Sequence, residues 1–402
     1  MKVTNNEIDR THLMEVERVS GWSAPVPQQT VSFGVPLADA LPEALRRLPA
    51  TNWVVVTTRS LSGPGGEAEA VCKALGPAFL SVVTGVRAHT PREDVIRLVG
   101  ELSKADGVVT IGGGSICDAV KVARLCLAND VTDAAGIDRF LQKKHEYPPA
   151  KPIVSPSSPF IAIPTTLSAA EFTSFAGVTD ERGPRKDGIH YDGLAPHVVI
   201  LDPQAALSTP PRLWFSTGIR ALDHAVETWC SVNATPLSDA TSMYAAKLLV
   251  AALKKVFESP TDAGARLACL EGAWLSIQGS AAGVKSGASH GIGRALGGTA
   301  GAPHGETSCV MLPHVLRYNA YVNRNKQKML VSAIDESDRE LADIITDLVQ
   351  HLGLSGKLRD SGIAYSQLDK IAEASIHDPL LTLNPRPIDS IDDVLQLLRQ
   401  AW

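Results

Sequence analysis

Apolar residues in the first half of the chain come in short β-branched bursts separated by amphipathic runs. Trp53-Val-Val-Val-Thr57, Phe79-Leu-Ser-Val-Val83 and Gly107-Val-Val-Thr-Ile111 are three such bursts. Short apolar runs without strict alternation predict strands buried on both faces. Between them, Glu67–Leu75, Arg92–Lys104 and Ile116–Leu127 space their apolar residues by three and four, the period of a helix that buries one side. Strand and helix in alternation imply βαβ units and a parallel sheet. Phe160-Ile-Ala-Ile-Pro164 and Val198-Val-Ile-Leu-Asp202 extend that sheet. Tyr147 to Pro159 carries five prolines and reads as a surface loop.

After Pro203 the period changes. Ala240–Val256, Arg266–Ala282, Asp338–His351 and Ile391–Ala401 are long and helical. The boundary is placed near residue 205. Residues 1–205 then form an α/β domain with a parallel sheet, and residues 206–402 an all-helical one, with ligands in the cleft between. A chain of 402 residues exceeds one ordinary core, which agrees with two domains.

Composition narrows the function classes. With 44% hydrophobic and 20% charged residues the chain reads as a soluble globular protein of enzyme size. A net charge of −5 gives no reason to expect nucleic acid or an anionic membrane as partner. No apolar run approaches the ~18 residues a membrane helix needs. The six cysteines form no C-x-x-C pair, as expected of reduced thiols in a cytoplasmic protein. The first residues, Met1-Lys-Val-Thr-Asn-Asn-Glu-Ile-Asp, have no signal-peptide character, and the first 20 or so could be a loose extension or a partner arm.

Two motifs carry chemistry. Gly112-Gly113-Gly114-Ser115 lies between a strand and a helix. Such glycines let backbone N–H groups approach a pyrophosphate, and the helix N-terminus faces the same anion. Ser115 adds a hydroxyl or caps the helix. The second motif is a set of bases. Arg220 precedes His224 by four residues, His290 precedes Arg294 by four, and His304 follows in Pro303-His304-Gly305. Residues four apart on a helix share a face, so each pair can enter one pocket. Three imidazoles suit zinc or iron, whereas guanidinium groups among them suit a carboxylate.

Gly112-Gly-Gly-Ser115-x-x-Asp118-x-x-Lys121, Pro164-Thr165-Thr166, Ala-Leu-x-His224-Ala-x-Glu227, Pro303-His304-Gly305, Leu312-Pro313-His314-Val315 and Asn384-Pro385-Arg386-Pro387 occur in one order across most of the chain. Together they resemble the iron-containing alcohol dehydrogenase family. The stretch from Thr165 through Thr-Leu-Ser-Ala-Ala-Glu-Phe-Thr-Ser-Phe-Ala-Gly-Val resembles its maleylacetate reductase-like branch. The resemblance implies the dehydroquinate synthase-like fold of that family: a dinucleotide-binding domain followed by a helical one. It implies NAD(H) or NADP(H) at the glycine turn, with Asp118 and Lys121 nearby and Thr165 and Thr166 lining the groove; Lys186 joins the cofactor-binding candidates. Family members commonly bind a divalent metal through Asp-x-x-x-His, His and His. Those positions here are Arg220, His224, His290 and His304, so the carboxylate is lost, and a further family histidine is Arg294. The resemblance also suggests a homodimer, formed through an N-terminal strand such as Val31-Ser-Phe33.

A guanidinium about 4 Å from a divalent ion is repelled by roughly 8 kcal/mol at an effective dielectric of ~20, and arginine cannot deprotonate to escape. Asp223, one position from His224, points off its face and is not expected to substitute. The expected pocket is therefore metal-free. Arg220 and Arg294 grip a small anionic substrate and polarise its carbonyl, and His224 or His290 delivers the proton. Arg294 pairing with Glu306 is an equal alternative. Lys285 is expected to reach solvent, and His314 to pack or cap. For the cofactor, Thr58, Arg59 and Ser60 stand where an acidic residue would reject NADP, so NADPH is expected to be used at least as well as NADH. The leading expectation is an NAD(P)H-dependent reductase of a small anionic oxo or enol compound. The rivals are a zinc- or iron-dependent alcohol dehydrogenase, a dehydroquinate synthase-like lyase, and a non-catalytic NAD-binding protein.

Overall fold

The structure, a computed structural model, describes residues 29–141, 152–183, 185–335 and 337–402, and of Arg185 and His304 only the backbone. The first half contains strands β1 (Thr30–Phe33), β2 (Trp53–Thr57), β3 (Phe79–Val83), β4 (Gly107–Gly112), β5 (Phe160–Pro164), β6 (Phe175–Asp180), β7 (Arg185–His190) and β8 (Val198–Leu201). Six of them form a parallel sheet in the order β1-β8-β5-β4-β2-β3; β6 and β7 form a separate antiparallel hairpin. Helices α1 (Leu37–Arg46) and α2 (Glu67–Leu75) bury Leu41 and Val71 with Val55 and Ile163 on one face. Helices α3 (Arg92–Leu102) and α4 (Gly114–Ala128) bury Leu98 and Val120 with Val54 and Val56 on the other. Alternate residues of β2 thus face opposite helix layers, as a doubly covered parallel strand requires.

The second half is helical: α5 (Pro211–Cys230), α6 (Pro236–Glu258), α7 (Ala263–Ser276), α8 (Gln278–Ala281), α9 (Ala288–Ala300), α10 (His304–Ile334), α11 (Leu341–His351), α12 (Leu368–Ser375), α13 (Pro379–Thr382) and α14 (Ile391–Ala401). Helix α5 is buried on nearly every side and forms its axis. At Gly218 a Cβ would lie 2.5 Å from Leu253 Cδ2, so glycine there lets α6 close on α5. Val199 and Leu201 of β8 pack into the same core as Trp214, Leu222 and Leu249, which fastens the helical half to the sheet. Among the described residues no helix is long and apolar enough to cross a membrane.

Several elements differ from the sequence pattern. The run Arg266–Ala282 is two helices, broken at Ile277, because α8 turns in against its neighbours: a Cβ on Gly279 would meet Thr228 Cγ2 at 2.3 Å. The run from Asp338 becomes helical only at Leu341, after the extended Glu340. The pattern does not predict the β6–β7 hairpin, since Arg185-Lys-Asp-Gly-Ile-His190 lacks an apolar period. Of the proline-rich loop, residues 142–151 lie outside the described residues, and 152–159 hold no regular element. His145 and the N-terminal 28 residues also lie outside them.

Lys121, on the helix that follows the glycine turn, has a structural task. It is fully buried, and its ammonium donates to the carbonyls of Ala170 and Phe175, each at 2.6 Å. It fastens the loop after β5 to α4 rather than facing a ligand. Replacing Lys121 by Met should strand both carbonyls, cost about 2–4 kcal/mol, and lower the urea midpoint of unfolding. An unchanged midpoint would contradict this role.

Candidate active site

Strand β4 ends at Gly112, whose φ of +156° leads into Gly113 and the first turn of α4. No side chain caps that helix. A Cβ on Gly113 would lie 3.0 Å from Thr166 Cγ2, and one on Gly114 would lie 2.9 Å from Ser168 Oγ. The hydroxyls of Thr166 and Ser168 are buried without a hydrogen-bond partner among the described residues. An uncapped helix N-terminus beside two orphaned hydroxyls fits a dinucleotide pyrophosphate. Thr165 is engaged with its neighbours: its N–H donates to the carbonyl of Gly112, and its own carbonyl accepts from the Thr209 hydroxyl. The Ser115 hydroxyl neither caps nor stands free, because it accepts the N–H of His89 at 3.2 Å. His89 and Thr90 are both left-handed, at φ 65° and 56°, a strained pairing for non-glycine residues. Thr179 holds them, its hydroxyl donating to the carbonyl of His89 and its N–H to that of Thr90.

Thr58 and Ser60 bond each other through their hydroxyls at 2.9 Å, beside the exposed Arg59. Arg59 Nη2 and the Arg97 guanidinium converge on Gly85, where a Cβ would lie 3.7 Å from the first and 3.5 Å from the second. Asp118 accepts the N–H of Gly177 at 3.0 Å and faces Lys186 across the hairpin. Burial pushes the Lys186 ammonium down to about 8; Asp118 opposes that shift, while Arg220 and Arg294 add to it. Lys186 therefore stands between the glycine turn and the helical half.

In that half, α5 supplies Arg220, Asp223, His224 and Glu227, which sit within two turns. Glu227 is buried and acts as the N-terminal cap of α9: it accepts the N–H of Gly287 and of Ser289 at 2.8 Å and that of His290 at 3.4 Å. The same carboxylate meets His290 Nδ1 at 2.7 Å. Asn384, from the Asn-Pro-Arg-Pro motif, accepts the N–H of Ala288 and pairs with Asn319, so two side chains secure this helix start. The rings of His224 and His290 lie 4.8 Å apart at 32°. Burial holds both neutral, His290 at about 3 and His224 well below its ordinary value, with Arg220 adding to each effect. Burial in turn raises the Glu227 carboxyl to about 7.

Arg220, His224 and His290 thus share one pocket. Arg294 stands half-exposed at its rim, 3.3 Å from Asp378. It does not pair with Glu306, which binds Arg212 instead, 94 residues away in sequence. His304 begins α10, but its side chain lies outside the described residues. Asp223, expected to point away, is fully buried and lies 3.5 Å from His290 Nδ1. The sequence alone gives no role here to Asp223, Ser289, Ser308, His89 or Arg97; only the alignment of three helices and two strand ends brings them to the site.

A divalent metal fits these donors poorly. Ligand atoms of Asp223, Glu227 and His290 lie within 4.8 Å of one another. Yet Glu227 already serves three N–H groups, Asp223 Oδ2 accepts two serine hydroxyls, and the imidazole Nδ1 of His290 is bonded to Glu227. In that group Asp223 Oδ1 and His290 Nε2 are unpartnered among the described residues. His224 Nδ1 is also unpartnered among the described residues, but the partly buried Arg220 guanidinium acts on both imidazoles. The arrangement suits an oxyanion or carboxylate better than a cation.

Residues 27–203 match the family described as iron-containing alcohol dehydrogenase, and residues 214–402 match the Fe-containing alcohol dehydrogenase family, C-terminal. Dehydrogenase FUM7 of Gibberella moniliformis is 33% identical, over 92% of this chain and 95% of that protein. A maleylacetate reductase of Pseudomonas knackmussii is 29% identical, again over 92% and 95%. Among solved structures, sulfoacetaldehyde reductase from Bifidobacterium kashiwanohense in complex with NAD+ superposes with a TM-score of 0.84 at 26% identity, over 95% of this chain and 99% of that one.

The Lys186 ammonium, with its pKa at about 8, is charged at neutral pH and loses its proton above that value. Malonate, as a dianion probe, should therefore bind roughly tenfold more weakly at pH ~9.5 than at pH ~7, the loss of one charge-assisted contact of about 1.4 kcal/mol. Lys186→Arg should lose distinctly less affinity than the wild type across that range, since only the Glu227 carboxyl, at about 7, then titrates there. Titration calorimetry over pH measures both, and a flat wild-type profile would contradict the assignment.

Proposed function

As a member of the iron-containing alcohol dehydrogenase family, the chain is an NAD(P)-dependent oxidoreductase, and we propose that it reduces a small anionic oxo or enol substrate without a metal ion. The observation that carries this reading is the partly buried Arg220 guanidinium, held beside the His224 and His290 rings. We place the domain division near residue 205, between β8 and α5, with substrate bound between the halves. Two similar proteins support the substrate class, since maleylacetate and sulfoacetaldehyde are both carbonyl compounds carrying negative charge.

The nicotinamide supplies the hydride. Arg220 meets the oxygen that gains charge as hydride arrives, where a preorganised donor in a dry site is most effective. Arg294 and Lys186 hold a second anionic group at the rim. Glu227 and His290 share one proton across 2.7 Å. With that proton on Glu227, His290 carries its own on Nε2; it passes that proton to the substrate oxygen as Nδ1 takes the one from Glu227. The imidazole remains neutral before and after, in keeping with its burial. His224 packs against His290 and fixes its plane.

A metal-dependent alcohol dehydrogenase is the second reading. The unpartnered His224 Nδ1 and His290 Nε2 favour it, as does the Asp223–Glu227–His290 group. It requires Arg220 to turn outward. On the metal-free reading, the purified protein should hold far less than stoichiometric zinc or iron, and chelation should leave its activity unchanged. Arg220→Ala should raise KM for an acidic substrate by roughly 10²-fold, about 2.7 kcal/mol. Stoichiometric metal, with activity lost on its removal, would establish the second reading instead.

At the adenosine end, Arg59 and Arg97 converge beside the hydroxyls of Thr58 and Ser60. That set suits a 2′-phosphate. NADPH should give a kcat/KM at least equal to that of NADH, and Arg59→Asp should lower the value for NADPH roughly tenfold or more, the loss of one charge-assisted contact. A wild-type enzyme that strongly prefers NADH would remove this assignment.

A further inference from the structure

Ser308 on α10 stands between two opposite charges. Its hydroxyl accepts from Arg220 Nη1 at 3.0 Å and donates to Asp223 Oδ2 at 2.6 Å. Ser289 on α9 donates to the same carboxylate oxygen at 2.8 Å. The four groups join α5, α9 and α10 through one buried chain of polar atoms. Asp223 is fully buried, and Arg220 lies three residues before it on the same helix face. At that spacing a guanidinium and a carboxylate ordinarily pair directly. Here the hydroxyl is inserted between them, and the two serine donors turn Asp223 Oδ2 away from the guanidinium.

We infer that Ser308 and Asp223 are positioning residues, which hold Arg220 extended into the pocket and keep it from collapsing onto its own helix. Among the described residues Ser308 is the one hydrogen-bond partner of that guanidinium, so one N–H is used for placement and the rest remain for a ligand. Asp223 supplies the counter-charge through the hydroxyl, which steadies a partly buried cation without consuming its forked face. The same carboxylate lies 3.5 Å from His290 Nδ1, the nitrogen that Glu227 holds at 2.7 Å, so the anion behind the cation also borders the imidazole. The consequence for substrate rests on the anion-reductase reading above; the geometry does not.

The test compares the wild type with Ser308→Ala and Ser308→Thr. Phenylglyoxal modification of Arg220, followed by peptide mass spectrometry, reports the guanidinium directly and needs no substrate. Arg220 should react roughly fivefold more slowly in Ser308→Ala, where it folds onto Asp223, and at the wild-type rate in Ser308→Thr, which keeps the hydroxyl. Malonate binding, measured calorimetrically with NADP+ present, should weaken roughly tenfold in Ser308→Ala and recover in Ser308→Thr, with the affinity for NADP+ unchanged to within about twofold throughout. An Arg220 that reacts in Ser308→Ala as fast as in the wild type, or faster, overturns the inference. If the reactivity changes as expected while the wild type fails to bind malonate, the anion-reductase reading falls and the positioning role stands.

Discussion

One buried carboxylate organises the helical half. Helix α9 contains four glycines in its thirteen residues, each costing about 1 kcal/mol relative to alanine. Such a segment would not stay helical on its own strength. Two of them stand where neighbours press close: a Cβ on Gly291 would meet Leu381 Cδ1 at 2.4 Å, and one on Gly293 would meet Thr307 Oγ1 at 3.0 Å. Glu227 offsets that weakness from outside the helix. It takes three N–H groups at the helix start and places negative charge at the positive end of the helix. The same carboxylate fixes His290 by its Nδ1. Helix start, imidazole orientation and proton inventory therefore depend on a single side chain.

Around it, cations and anions are matched one by one. Arg294 leans on Asp378, Arg220 reaches Asp223 through a hydroxyl, and Lys186 faces Asp118. The cations are thus already aimed and already compensated. This costs some electrostatic attraction and gains direction, since each guanidinium has little freedom left to lose on binding. The two halves contribute unequally. The sheet and hairpin provide the glycine turn and Lys186, and the helices provide the pocket around Arg220.

Much of this was legible in the residues. The apolar bursts at Trp53, Phe79, Gly107, Phe160 and Val198 mark five of the six sheet strands; four are buried on both faces and so need uninterrupted apolar side chains, whereas the Phe79 strand, expected to be buried too, is the exposed sheet edge. The spacing of Arg220 and His224, with His290 on a neighbouring helix, points to one pocket, because helical period converts directly into a shared face. What was not legible depends on contacts between distant segments. The hairpin Phe175–His190 is polar and is held by α4 through Lys121 and Asp118. Asp223 lies off the His224 face on a helical wheel, yet α9 and α10 supply Ser289 and Ser308 to receive it. Arg294, which the spacing assigns to the pocket, reaches only the rim because Asp378 draws it there.

Asn384 adds a constraint of another kind. Its partners at the start of α9 and on α10 are Ala288, 96 residues upstream, and Asn319, 65 residues upstream. The helix that carries His290 is therefore completed by a residue made long after it. During synthesis the sheet and its glycine turn can assemble from the first half alone, whereas α9 gains its second cap only once Asn384 has been translated. The segment that carries His290 thus takes its final form only when nearly the whole chain has been made.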